Sequence, residues 1–340
     1  MAISRRDETI ELLRGEEALG HPLVPGDAAT RKRLLRLVAK GDVLRPCRGA
    51  YVRVGYWRAL SDEQKALHVM RALTKIDEDV VFSHVSAALA LGLEVPRRFA
   101  RKLHAINGFA SATRSQGWIV RHTCKETDSI MHGGVRITSV NRTLFDCLRT
   151  LDLPEGLAVA DSALRVLALD PADLEAFFLE CGHQRGARHA LQTLALADPR
   201  SENGGESIAR GVMLELCCAP PVLQKELVNP LTGSSYRADF YWEGHGRLPI
   251  VGELDGKDKY LNPIMTGGRD VGEVLIEERL RESRISAREV KVMRFRFSEL
   301  GNRGLFSELL DVYGVPRNAD PPARHPHPRL YDGITPKRYA

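Results

Sequence analysis

Residues 250–260 read IVGELDGKDKY. An apolar run ends in a carboxylate, Glu253, and a second carboxylate, Asp255, stands two places on. A glycine follows, then Lys257 and Lys259. Successive strand residues alternate faces, so Glu253 and Asp255 leave the same face of one strand end. Upstream, RADFYW (237–242) and LPIVGEL (248–254) flank the turn-rich EGHGR. Two β-prone runs around such a connection are expected to pair as a hairpin. Pairing symmetric about Gly246 sets Asp239 opposite Glu253, with Cβ atoms about 4.5–5.5 Å apart. Three carboxylates then converge from two neighbouring strands.

Two unit charges at about 4 Å repel by roughly 4 kcal/mol at an effective dielectric of 20. Such a cluster holds a proton at raised pKa or binds a divalent cation. Mg²⁺ or Mn²⁺ suits it, because hard cations take one or two carboxylates together with waters and phosphate oxygens. Asp239, Glu253 and Asp255 are the expected metal ligands. Glu206 adds a fourth acid at the start of a helix, after two glycines, and Lys257 or Lys259 adds a cation just beyond the acids. Acids, metal and lysine together suit phosphodiester hydrolysis, with the metal activating water and the lysine stabilising charge on the phosphate. Plainer roles stay open: Glu206 as a helix-start acid favoured by the dipole, Lys257 and Lys259 as solvated loop residues.

Around the hairpin, residues 199–315 read helix, strand, strand, strand, helix, strand, an α/β pattern. The pattern resembles the PD-(D/E)XK nuclease superfamily over about residues 200–300, and more narrowly its very-short-patch-repair-like branch (the DUF559 type). The resemblance matches a helix acid to Glu206 in GGESIARGVMLEL, a strand aspartate to Asp239, and the following strand's acid, spacer, polar residue and glycine to Glu253, Leu254, Asp255 and Gly256. A later helix and strand match at Glu278, Arg281 and Glu282, and at Arg294 in VKVMRFRF. It implies a restriction-endonuclease-like fold, metal binding by the acids and a catalytic lysine. The chain departs where the family carries that lysine: Asp255 stands two places after Glu253, in an E-x-D-G form that also occurs in this branch. Lys257 or Lys259 would then supply the cation from a shifted position.

The first 60 residues have a different bias. Between positions 31 and 58 stand Arg31, Lys32, Arg33, Arg36, Lys40, Arg45, Arg48, Arg53 and Arg58, against the lone acid Asp42. Leu34, Leu35, Leu37 and Val38 give a helical apolar stripe, and Gly41 is a plausible helix end. DVLRPCRGAYVRV is then two short strands around PCRG. A helix followed by a basic hairpin is the end of a winged helix-turn-helix, and Arg31, Lys32, Arg33, Arg36, Lys40, Arg45 and Arg48 would meet DNA phosphates. A solvated basic helix with an ordinary hairpin is the plainer alternative.

Residues 61–198 are helix-rich. DEQKALHVMRALTKI is amphipathic, and VVFSHVSAALALGL has Ser83 as a candidate cap and Gly92 as a candidate stop. Short strands are expected at RKLHAINGF, WIVRHT and VRITSV. His84, Arg142 and Asp146 stand out as polar residues, with structural roles open to each: a first-turn helix position for His84, and i, i+4 pairing for Arg142 and Asp146. LLRLVAKGDVLRPCRGAYV, VVFSHVSAALALGL and GVRITSVNRTLFDCLRTLDLPEGLAVADSALR, in that order, resemble the AbiEi-type antitoxins of type IV toxin–antitoxin systems over about residues 8–165. That resemblance implies a winged helix on promoter DNA, and as partner a nucleotidyltransferase toxin encoded nearby.

The 340 residues have room for two or three domains. The whole is expected to be α+β: a winged helix over 1–60, a helix-rich middle domain over 61–198, an α/β restriction-endonuclease-like domain over 199–315, and a Pro- and charge-rich disordered tail over 316–340. The net charge of +5 is mild, and its concentration in the first segment matters more. Six scattered cysteines form no CxxC pair and are expected as buried, reduced thiols. No apolar stretch reaches membrane-spanning length, so membrane partners are excluded and a cytoplasmic location is expected.

Overall fold

The computed structural model describes residues 5–106, 119–122, 128–228, 233, 235–244, 248–255 and 290–318. The fold is α+β, and the chain divides into two compact units between Cys147 and Leu148. Residues 272–287, expected as a charged helix, lie outside the described residues, as does the tail from 319.

The first unit opens with α1 (Arg5–Ala18) and α2 (Ala28–Ala39), followed by β1 (Val43–Leu44), β2 (Val52–Arg53) and α3 (Val54–Ala59). Asp27 caps α2 by accepting the Thr30 N–H at 2.8 Å. Gly41, at φ +79°, makes the left-handed exit that glycine adopts without Cβ strain. β1 and β2 are antiparallel, and a bridge from Leu23 to Tyr51 adds the segment between the two helices. Leu13, Leu23, Leu34, Leu37, Val43 and Tyr51 form the core beneath. Next, α4 (Asp62–Ile76) starts at a capping box of Ser61 and Gln64, which satisfies two helix-start N–H groups. A mixed sheet follows, of β3 (Val81–Phe82), β4 (Leu103–Ile106), β5 (Ile119–His122), β6 (Ser129–His132) and β7 (Val135–Thr138), in the order β5-β4-β3-β7-β6. α5 (His84–Ala90) follows β3 directly, and α6 (Val140–Thr150) follows β7.

The second unit contains α7 (Leu153–Val166), α8 (Pro171–Glu180), α9 (Ala187–Ala195) and α10 (Gly204–Glu215). A four-stranded sheet comes next: β8 (Val222–Val228), β9 (Ser235–Trp242), β10 (Ile250–Asp255) and β11 (Lys291–Arg296), closed by α11 (Arg303–Tyr313). The order is β11-β10-β9-β8, with β10 and β11 parallel and the other neighbours antiparallel. Val212 and Met213 of α10 pack with Phe240, Trp242, Met293, Phe295 and Phe306 over one side of this sheet. On its other flank α10 lies close along α7. A Cβ at Gly211 would stand 2.4 Å from Pro154 Cα, so only glycine allows this approach. Arg210 reaches Asp161 through two bonds of 2.7 and 2.9 Å, both side chains buried.

Candidate functional site

β9 and β10 pair Trp242 with Ile250, Tyr241 with Val251 and Phe240 with Gly252. One further step of this register sets Asp239 across from Glu253. There the ladder gives way to a side chain, because Asp239 Oδ2 accepts the Leu254 N–H at 2.9 Å. On the opposite edge of β9, the register with β8 is the same on both sides of Asp239, yet Gln224 and Asp239 are not paired. Gln224 has φ +52°, a left-handed conformation that L-residues seldom take. Tyr236 and Ala238 pack with Val251, whereas Phe240 and Trp242 pack with the α10 side. The alternation of β9 therefore changes over at Asp239. A local break of this kind re-aims a side chain within a sheet.

Glu253 accepts a hydrogen bond from the Tyr236 hydroxyl. Its neighbour in the parallel register is Arg294 of β11, whose Nη1 stands 3.8 Å from Asp255 Oδ1. The cation that the described residues place beside the acids is thus Arg294. Lys257 and Lys259 lie outside the described residues.

Glu206 is buried in the first turn of α10. Its carboxylate accepts the Glu202 N–H at 2.8 Å, the Asn203 amide at 2.6 Å and the Gln224 amide at 3.0 Å. Burial pushes its pKa up to about 7. The Glu202 N–H opposes that rise, while the negative charge of Asp239 adds to it. Glu206 is therefore both a helix-start acid and an electrostatic neighbour of Asp239. Its bond to Gln224 also ties α10 to the distorted point of β8.

Contacts and charge link Glu206, Asp239 and Glu253, while Asp255 faces Arg294. The described residues do not bring three of these acids to within 4.8 Å of one another through their ligand atoms; His84, His104 and His122 do meet that distance. Sequence reasoning singled out His84 but missed His104 and His122. The available signal was one histidine in each of three short segments, VVFSHVSAALALGL, RKLHAINGF and WIVRHT. Arg142 and Asp146 do pair at i, i+4, with bonds of 2.9 and 3.1 Å. Both are buried, so the pair is an internal support and not a solvated helix face.

In the first unit, Arg31, Lys32, Arg36 and Lys40 are exposed along α2 and just past it, and Arg45 and Arg48 are exposed on the β1–β2 connection. The Arg45 guanidinium lies 5.8 Å from the Tyr51 ring centroid, a contact that helps hold the connection. Arg33 is half-buried, donates to Thr30 Oγ1 at 2.9 Å and lies 3.8 Å from Glu8. Arg53 is committed to structure: it pairs at 2.6 Å with the buried Glu17 and so pins β2 to α1.

Among the described cysteines, Cys47, Cys147, Cys181 and Cys218 are buried, Cys217 is partly exposed, and none of the five forms a disulfide. Burial pushes the Cys47 thiol up to about 12 and the Cys218 thiol up to about 11, which leaves both protonated and poorly nucleophilic.

No family model matches the chain. It is similar to two Mycobacterium tuberculosis proteins, "Uncharacterized protein Rv2248" of strain ATCC 25618 / H37Rv and "Uncharacterized protein MT2308" of strain CDC 1551 / Oshkosh. Each is 34% identical over 100 residues, which is 29% of this chain and 36% of the relative. The chain thus spans about a third of the length of the curated relatives it matches. No helix among the described residues is long and apolar enough to cross a membrane.

Proposed function

We propose that this protein binds DNA through the basic α2 and β1–β2 segment and hydrolyses DNA phosphodiesters at Glu206, Asp239, Glu253 and Asp255 with a divalent metal ion. The observation that carries the reading is the position of Asp239. It interrupts the β9–β10 ladder beside Glu253, and its charge bears on the buried Glu206. A sheet whose register is regular on either side keeps an aspartate and a left-handed Gln224 at this one point. Such strain in an otherwise ordinary strand is the kind retained at functional sites.

The donor set fits a hard cation, since all candidate ligands are carboxylate oxygens. Asp239, Glu253 and Asp255 are the residues that would hold Mg²⁺ or Mn²⁺, and the bound ion would supply an activated water and neutralise phosphate charge. The chain's own groups have defined tasks. The Tyr236 hydroxyl orients Glu253, the Leu254 N–H fixes one oxygen of Asp239, and Arg294 offers a guanidinium suited to a phosphate oxygen. Glu206, with a pKa near 7, holds or releases a proton at the edge of the acids around neutral pH.

The test is incubation of purified protein with supercoiled, linear, mismatched and single-stranded DNA plus Mg²⁺ or Mn²⁺. Cleavage is expected from the wild type and not from Asp239→Asn or Glu253→Gln. Equal cleavage by both variants would reject the assignment. A second reading, a non-catalytic transcriptional regulator of antitoxin type, is favoured by the separation of the acids and by the engagement of Asp255 with Arg294. It expects metal-independent binding to the region upstream of the protein's own gene, no cleavage, and a nucleotidyltransferase encoded next to it.

A further inference from the structure

We propose that His84, His104 and His122 form a binding site for a divalent first-row transition-metal ion, with zinc the occupant their donor set favours. The ligand nitrogens lie within 4.8 Å of one another. His84 and His104 are buried, and His122 is half-buried at the rim. The fold brings them together from three elements, α5, β4 and β5. Ser83 N donates to the His104 carbonyl at 2.9 Å, which sets the start of α5 beside β4. β4 and β5 run parallel in a register that pairs His104 with Val120 and Ile106 with His122.

Two of the three ring pairs are stacked, and His84 and His104 are tilted at 37° with centroids 5.8 Å apart. His84 and His122 stack with centroids 3.7 Å apart at 19°, and His104 and His122 with centroids 5.0 Å apart at 18°. His104 Nδ1 and His122 Nε2 are 2.8 Å apart, so one ring donates to the other. A metal would replace that single N–H···N contact with two metal–nitrogen bonds. The donor ring would move its proton to its other nitrogen, so no net proton need leave. Neutral imidazoles are the form that binds metal, and burial with the neighbouring His122 lowers His104 to a pKa of about 3.

A supporting shell surrounds the rings. His84 Nδ1 lies 3.0 Å from Ser83 Oγ and 3.9 Å from Asp146 Oδ2. Asp146 is itself clamped by Arg142. A carboxylate behind a histidine is the arrangement that orients ring ligands in metal sites. Ser86 Oγ accepts the His104 N–H at 2.8 Å and ties α5 to β4. His84 has φ +51°, a costly conformation for a residue with a Cβ, at the position that aims its ring into the cluster. Three imidazoles with no carboxylate among them suit Zn²⁺, Co²⁺, Ni²⁺ or Cu²⁺ and not Mg²⁺, and three protein ligands leave a fourth position for water. The histidines belong to the first compact unit and the acids to the second, and the proposal does not depend on the assignment of phosphodiester hydrolysis.

The experiment uses tag-free full-length protein, stripped with chelator and titrated with Co²⁺ and Zn²⁺. One equivalent per chain is expected. Zinc-edge X-ray absorption of the wild type should give three imidazole nitrogens at about 2.0–2.1 Å. His122→Gln, the rim variant, should lower zinc affinity by at least about tenfold, in line with losses at metal-site residues. Failure of the wild type to retain an equivalent of either ion, or absorption spectra without imidazole scattering, would overturn the proposal whether or not the variant folds.

Discussion

Glu206 is the residue whose environment makes the sharpest demand. Its carboxyl titrates near 7 in the folded chain, against an ordinary value of 4.5. Between those values the folded state binds a proton that the unfolded state does not. Raising the pH through this window therefore removes stability, by at most about 3 kcal/mol. With chelator present, the difference in unfolding free energy between wild type and Glu206→Gln should grow in favour of the variant from pH 5 to pH 8. Parallel pH curves from urea titrations would show that the carboxyl is not raised. Asp239, Glu253 and Asp255 were legible in the sequence because period-2 alternation and the two β-prone runs around EGHGR fix which residues face each other. The turnover of faces at Asp239 was not, because it depends on Gln224 adopting φ +52°, which no residue type at that position announces. His104 and His122 were missed for a similar reason. A single histidine in a short apolar strand reads the same whether it fills a core or meets two others.

At the scale of elements, the approach of α7 to α10 depends on one glycine. Gly211→Ala places a Cβ against the Pro154 backbone, which has no rotamer to yield. The expected cost is about 1–3 kcal/mol, read as a lower urea midpoint. Gly15→Ala provides the contrast, since a methyl group added at this position of α1 would meet nothing within 4 Å. That change should raise stability by about 0.5–1 kcal/mol through helix propensity. Equal shifts from the two substitutions would show that the helix contact is not tight. Several elements were legible: α4 from its amphipathic spacing, and β8 to β11 from β-rich runs. The stretch 198–207 reads as a linker from its polar and glycine content, yet it carries the buried Ser201 and Glu206 and the cap Asn203. Composition does not distinguish a linker from a helix start, because both use asparagine, serine and glycine. The signal for α11 was present, with Phe306, Leu309 and Leu310 at helical spacing, but it lies beyond the run of strands and acids from which the domain is recognisable.

At the scale of the whole molecule, the basic face and the acids belong to different compact units, so binding and cleavage should be separable by substitution. Arg45 and Arg48 are exposed on the β1–β2 connection and, unlike Arg53, hold no buried carboxylate among the described residues. Their joint replacement by alanine should leave folding intact. The slope of log affinity against log salt should become shallower by about 0.9 for each phosphate no longer neutralised, hence by about 1.8 if both reach the backbone of duplex DNA. Cleavage by this variant should fall at low DNA concentration and recover at saturating DNA. Glu253→Gln should do the reverse: its salt slope should match the wild type while cleavage is abolished at every DNA concentration. Fluorescence anisotropy over a salt series, run beside a cleavage assay on the same preparations, separates the two cases. An unchanged slope in the double arginine variant would remove the hairpin from the DNA interface and leave α2, with Arg31, Lys32 and Arg36, as the element to substitute next.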